Sequence, residues 1–232
     1  MTATAVARAA DARVVGASAA DTPPVSVLEL RRQLGARLEP TPAEGSGGER
    51  RGLATGIEEL DAALPARGVP RGRLTEVVGA RGSGKTTFLR RLVGETAALG
   101  VWVAYVDAGR TLAPGDWARE GEGEGVWMVR PASAAKGAWC ADVLLRSGAF
   151  ALVVLDGAPP LPRAVAARLV RLARGGGSAF MVVGDDEQAM TAIPGALRLR
   201  MERQRATTGA GRGRSGRVVA ITVEKGGIRR RV

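Results

Sequence analysis

The chain contains no histidine and a single cysteine, Cys140, among its 232 residues. A zinc site, which draws on imidazole and thiolate ligands, therefore has nothing to be built from. No intrachain disulfide can form, and such cysteine usage fits a reducing cytoplasm. Lysine is nearly absent too: Lys85, Lys136 and Lys225 stand against 31 arginines. Aromatic residues make up 3% of the chain, and none follows Phe180. No stretch approaches the roughly 18 consecutive apolar residues of a membrane-spanning helix. The first 15 residues lack the apolar centre of a secretory leader, so neither span nor leader is expected.

What is present is enough apolar material, 45% of residues, to bury a substantial core. A chain of this length suits one domain with appendages. The net charge is +11, with a pI near 11.3, which favours anionic partners. The charge is not spread evenly. Residues 198–232 hold eleven Arg or Lys against only Glu202 and Glu224, so nine of the eleven excess charges lie in that segment. A general taste for arginine can follow from the nucleotide composition of a genome, so arginines alone are weak evidence. A lysine in such a chain is more telling.

Residues 1–24 are Ala-rich, aperiodic and end in DTPP, and are expected to lack regular structure. In 25–38, Val27, Leu30, Leu34 and Leu38 fall at helical spacing, which predicts a short amphipathic helix. It could dock on a partner or pack on its own core. Residues 39–51 read as a linker by their Pro, Gly and charge. From 52 to 202 apolar runs alternate with helical segments. Strands are predicted at 73–78, 101–107, 126–130, 150–156 and 178–183, with helices near 85–99, 134–147 and 162–174. That order implies a mostly parallel α/β sheet flanked by helices. The runs at 196–203 and 216–224 have no helix between them and predict an antiparallel pair. They flank a Gly/Arg loop, 203–216, and the strand and basic tail at 217–232 complete the chain. Trp102, Trp127 and Trp139 lie in predicted elements and are expected in the core.

The stretch GARGSGKT, residues 79–86, matches the G-x-x-x-x-G-K-[ST] phosphate loop between a strand and a helix, the context that its mechanism requires. Gly79, Gly82 and Gly84 let the backbone turn its N–H groups inward. Arg81, Ser83 and Thr87 belong to the same cradle. The compact ammonium of Lys85 suits the β- and γ-phosphates, and the Thr86 hydroxyl suits Mg²⁺, so ATP and Mg²⁺ are the expected cofactors. The helix that follows adds its positive end. A carboxylate at the end of a buried strand would complete the Mg²⁺ side. Asp156 follows five uninterrupted apolar residues and is preferred over Asp107, although either could cap a turn.

Residues 53–114 resemble the core of the RecA family of recombinases in the spacing TG..ELD.AL, the G.P.GR..E..G strand, the phosphate loop and YVDA. Weaker similarity runs on through VVLDGAPPL to ITVEKGG. The resemblance implies a RecA-like P-loop NTPase core. It also implies a catalytic glutamate directly after YVDA, where this chain has Gly109, and a γ-phosphate-sensing glutamine after the 178–183 strand, where it has Gly184-Asp185-Asp186. Asp185 could replace the missing base, or GDDE could simply cap a helix. Of the family's paired lysines across the filament interface, only Lys225 remains. The two DNA loops, GAPPLPRA and DDEQAMTAIPG, are short and carry no aromatic to stack on a base. Trp117 lies near where the family stacks an aromatic on adenine; ordinary packing is the alternative.

These departures most resemble the ImuA (SulA-like) branch, an accessory of SOS-induced, error-prone translesion synthesis. That resemblance implies RecA and an ImuB-type polymerase-like protein as partners, weak or absent ATP hydrolysis, and a cytoplasmic, nucleoid-associated location. An active DNA-dependent ATPase or recombinase, and a cell-division inhibitor, are the competing readings. DNA contact is expected from Arg203, Arg205, Arg212, Arg214, Arg217, Arg229, Arg230 and Arg231, unless composition alone put arginines on a solvated loop.

Overall fold

Strand Phe150–Asp156 (β5) shows why the centre of the fold is a parallel sheet. Its residues from Phe150 to Leu155 are all buried, so both of its faces are covered. The computed structural model describes residues 6–8, 52–113, 117, 125–185, 196–205, 217–225 and 228–231. The expected helix at 25–38, the linker at 39–51, and Arg212 and Arg214 lie outside them.

Around β5 the strands Leu74–Val78 (β2), Trp102–Asp107 (β3), Val126–Val129 (β4), Ala179–Gly184 (β6) and Leu197–Arg205 (β7) run parallel in the order β4-β3-β5-β6-β2-β7. Arg217–Lys225 (β8) and Ile228–Arg231 (β9) extend the β7 edge antiparallel. Val6–Arg8 (β1) pairs antiparallel with β4 at the other edge. The mostly parallel sheet and the antiparallel C-terminal pair agree with the sequence reading. The strand at Val6–Arg8 lies within 1–24, where no regular structure is expected, and that at Ile228–Arg231 is an addition to the sequence reading. So is a short helix, Glu58–Ala63 (α1), whose single buried residue, Leu60, is too little periodicity to read. It is held in place by Asp61, whose Oδ1 accepts from Thr55 N at 2.9 Å and from Thr55 Oγ1 at 2.8 Å.

Helix Lys85–Ala97 (α2) covers one face of the sheet through Phe88, Leu89, Leu92 and Val93. Helices Gly137–Ser147 (α3) and Arg163–Gly176 (α4) cover the other through Leu144, Leu145 and Leu169. Each such leucine contributes about 1.5–3 kcal/mol on burial. Trp102 and Trp127 meet edge-on at the margin of this second core, whereas Trp139 is 49% exposed on α3, contrary to the expectation that it is core.

Not every buried position is apolar. Glu76, in the middle of β2, is 1% exposed and accepts from Arg198 Nε at 2.9 Å and Nη2 at 2.7 Å. Arg198 sits directly across on β7. Next to it, Arg200 of β7 pairs with Glu224 of β8 at 3.1 Å.

Candidate functional site

The turn from β2 into α2 is shaped by close neighbours as much as by its own residues. Gly79 has φ +157°, and a Cβ there would lie 2.3 Å from the Met201 carbonyl oxygen. Gly84, the residue before α2, has φ +101°, and a Cβ would lie 2.7 Å from Val219 Cγ2. Both come up against the β7–β8 ribbon, so the loop admits only glycine at these points. Lys85 is buried. Its ammonium donates to the carbonyls of Gly79 at 2.5 Å and Ala80 at 3.0 Å, and pairs with Asp185 at 3.0 Å.

The loop opens on a cleft of about 450 Å³ at the carboxyl ends of β2, β5 and β6. Open parallel sheets hold ligands at this end, here between the start of α2 and the segment 157–161 that follows β5. Arg81, Gly82, Gly84, Lys85, Thr86 and Thr87 line it from the loop, and Asp156 lines it from β5. β6 lies between β2 and β5 in the sheet, so strand order sets Asp156 across the cleft from Thr86. Ser83 Oγ is buried beside the loop without a hydrogen-bond partner. Cleft size, a lysine over an inward-turned loop, a hydroxyl and a facing carboxylate together suit a polyphosphate with a hard divalent cation.

Asp107 and Asp156 have different jobs. Asp107 is fully buried, and its carboxylate accepts from Arg130 Nε at 3.0 Å and from the backbone N–H of Thr111 at 2.9 Å. It fixes the loop after β3 and does not line the cleft. Asp156 Oδ2 accepts from the buried Tyr105 hydroxyl at 2.6 Å. Burial pushes the Asp156 carboxyl above the usual carboxylate range. The Tyr105 hydrogen bond opposes that shift, the Asp107 charge adds to it, Lys85 opposes it and Asp185 adds to it. Tyr105 itself is raised well above the ordinary phenol value, by burial first and by the Asp156 charge second.

A model of the RecA N-terminal domain family matches residues 46–219. The chain belongs to this family. Relatives include Protein RecA of Rubrobacter xylanophilus, 34% identical over 141 residues, which are 60% of this chain and 41% of that protein. Protein RecA of Nocardia farcinica is 37% identical over 115 residues, and that of Gluconobacter oxydans is 37% identical over 114. Each of these two matches covers 48% of this chain and 33% of the relative. The chain thus matches well under half the length of these curated relatives.

Against the RecA-family pattern, Gly109 sits beside Gly157, whose Cα would be 3.4 Å from a Cβ at 109. Thr111, whose Cγ2 would be 3.5 Å away, lines the cleft with Gly157, so a side chain at 109 would start toward it. Trp117 is 5% exposed, packs edge-on against Tyr105 with ring centroids 4.9 Å apart, and does not line the cleft; ordinary packing is its observed place. Arg203, grouped by sequence with the DNA-contacting arginines, lines the cleft near Gly82. Of the others, Arg205 and Arg217 are register partners in the backbone pairing of β7 with β8, Arg229, Arg230 and Arg231 lie on β9, and Arg231 is exposed. Sequence reasoning missed the roles of Tyr105, Thr111 and Arg203. The one usable signal was for Tyr105: on β3 it faces the same side as Asp107, and it reaches diagonally past Val154 to Asp156. No helix among the described residues is long and apolar enough to cross a membrane.

Proposed function

We propose that this RecA-family chain binds ATP with Mg²⁺ in the β2–β5–β6 cleft, hydrolyses it weakly or not at all, and acts as an accessory protein in SOS-induced, error-prone translesion DNA synthesis. The observation that carries the first half is the set Lys85, Thr86 and Asp156 around one cleft beside Gly109, which has no side chain to serve as general base. Lys85 would hold the phosphates, and Thr86 and Asp156 would hold Mg²⁺, which when bound neutralises phosphate charge. A positioned base contributes typically about 10²–10⁴-fold to rate, so its absence is enough to make turnover slow.

The accessory role rests on the ImuA-like pattern of departures: Gly109, the lone Lys225 and short, aromatic-free loops. On this reading its partners are RecA, an ImuB-type polymerase-like protein, and DNA gripped by the C-terminal arginines, at the nucleoid. The expected helix at 25–38 is the candidate docking element. The competing reading, an active DNA-dependent ATPase, is favoured by the relatives that are named RecA. The two part on one measurement: ATP turnover by the full chain with and without single-stranded DNA. Calorimetric ATP binding that is lost in Lys85→Ala, with turnover far below that of a recombinase and raised by Gly109→Glu, supports the accessory reading. Rapid DNA-stimulated turnover by the unaltered chain refutes it, and capture of purified RecA and ImuB-type protein tests the partners.

A further inference from the structure

Three donors project from the Lys85 ammonium, and the structure gives all three a partner. Two are neutral carbonyls of the loop itself, Gly79 and Ala80, and the third is the carboxylate of Asp185. Asp185 directly follows β6, the strand between the phosphate loop and Asp156, and it lines the same cleft. Its side chain is 60% exposed and on a short stem, so it can leave the ammonium at little cost. Its charge, however, stays anchored at that end of the cleft.

We propose that Asp185 is a specificity-determining residue that makes this site prefer a nucleoside diphosphate to the matching triphosphate. The inference rests on the reading that the cleft takes nucleotide. In a phosphate loop the lysine reaches the β- and γ-phosphates, while the β-phosphate is also cradled by backbone N–H groups. A diphosphate therefore keeps most of its donors when it shares Lys85 with Asp185. A triphosphate brings a further anionic group to the lysine, into the neighbourhood of both Asp185 and Asp156. Like charges about 4 Å apart disfavour binding roughly fivefold even with water-like screening, and more strongly in a partly enclosed cleft. The expected preference is about tenfold.

The test uses the full chain and calorimetry with ADP and ATP, each with and without Mg²⁺, on the unaltered protein and on Asp185→Asn. Circular dichroism confirms that the exposed substitution leaves the fold intact. The unaltered chain should bind ADP about tenfold more tightly than ATP. Asp185→Asn should bring the two within about threefold, chiefly through tighter ATP binding. Equal affinities in the unaltered chain, or an ADP/ATP ratio that the substitution does not move, overturn the inference and leave the nucleotide reading standing. Weaker ATP binding in the variant, confined to samples with Mg²⁺, also overturns it, because Asp185 would then be serving the cation. Failure of both nucleotides to bind either protein brings down the inference and the nucleotide reading together.

Discussion

Replacing Arg198 by alanine should cost about 3 kcal/mol of stability, and the reasoning runs from the burial of its partner. Glu76 is 1% exposed on a central strand, and two nitrogens of one guanidinium converge on its Oε2 at 2.7–2.9 Å. Removing one member of a buried pair takes two charge-assisted hydrogen bonds from the other in a low-dielectric place, at a cost of about 3–5 kcal/mol. The lower end applies because a quarter of the Arg198 side chain reaches water. For a domain of this size, about 3 kcal/mol corresponds to a fall in Tm of roughly 6–12 °C. The double variant Glu76→Met, Arg198→Met removes both charges at similar volume, and should return to within about 1 kcal/mol of the original. Urea denaturation of the original, Glu76→Met, Arg198→Met and the double variant gives the coupling directly. If Arg198→Ala costs less than about 0.5 kcal/mol, as an ordinary surface change does, the pair is not holding β2 to β7 and the argument fails.

Gly79→Ala should destabilise the chain by several kcal/mol and abolish ATP binding, since its Cβ meets the Met201 carbonyl at 2.3 Å; unchanged denaturation would refute this. Asp156→Asn should stabilise the fold at neutral pH. The folded-state value of Asp156 is raised, so the native chain is most stable below the unfolded-state value and loses that contribution as pH rises through the folded one. The advantage of the variant should therefore grow with pH from the acid side and then level off, as read from Tm across pH, while its Mg²⁺-dependent ATP binding falls. Changing Arg205, Arg212, Arg214 and Arg217 to Ser should weaken single-strand DNA binding and flatten its salt dependence by about 0.7 per lost contact. Arg203→Ser, because that side chain lines the cleft, should be measured separately and should weaken nucleotide binding.

Elements were far easier to read than neighbours. The apolar run before Asp156 and the glycines, lysine and threonine of the loop are local patterns, and local patterns mark a buried strand or a phosphate cradle wherever the chain goes next. The meeting of Asp156 with Tyr105, of Lys85 with Asp185, and of Arg203 with the cleft depends instead on strand order and register. Those are set by how the two faces of the sheet are covered, and no short spacing encodes them. For Trp117 the resemblance offers a base-stacking position beside ordinary packing, and its ring lies edge-on against Tyr105, a contact that likewise depends on how distant segments meet.

The wall behind the phosphate loop is made by the far end of the domain. Met201 closes over Gly79 and Val219 over Gly84, so the C-terminal ribbon is the mould against which the loop is cast. β7 runs unbroken from Leu197 to Arg205, past residue 202 where the sequence suggested that the core stops. A chain shortened there would keep every residue of the GKT motif and lose Val219, the part of that surface that lies over Gly84. The same contact works in reverse. The side chain of Val219 and the backbone at Met201 can shift little without the loop shifting too, so a load borne by the arginine-rich ribbon is felt where the phosphates would lie.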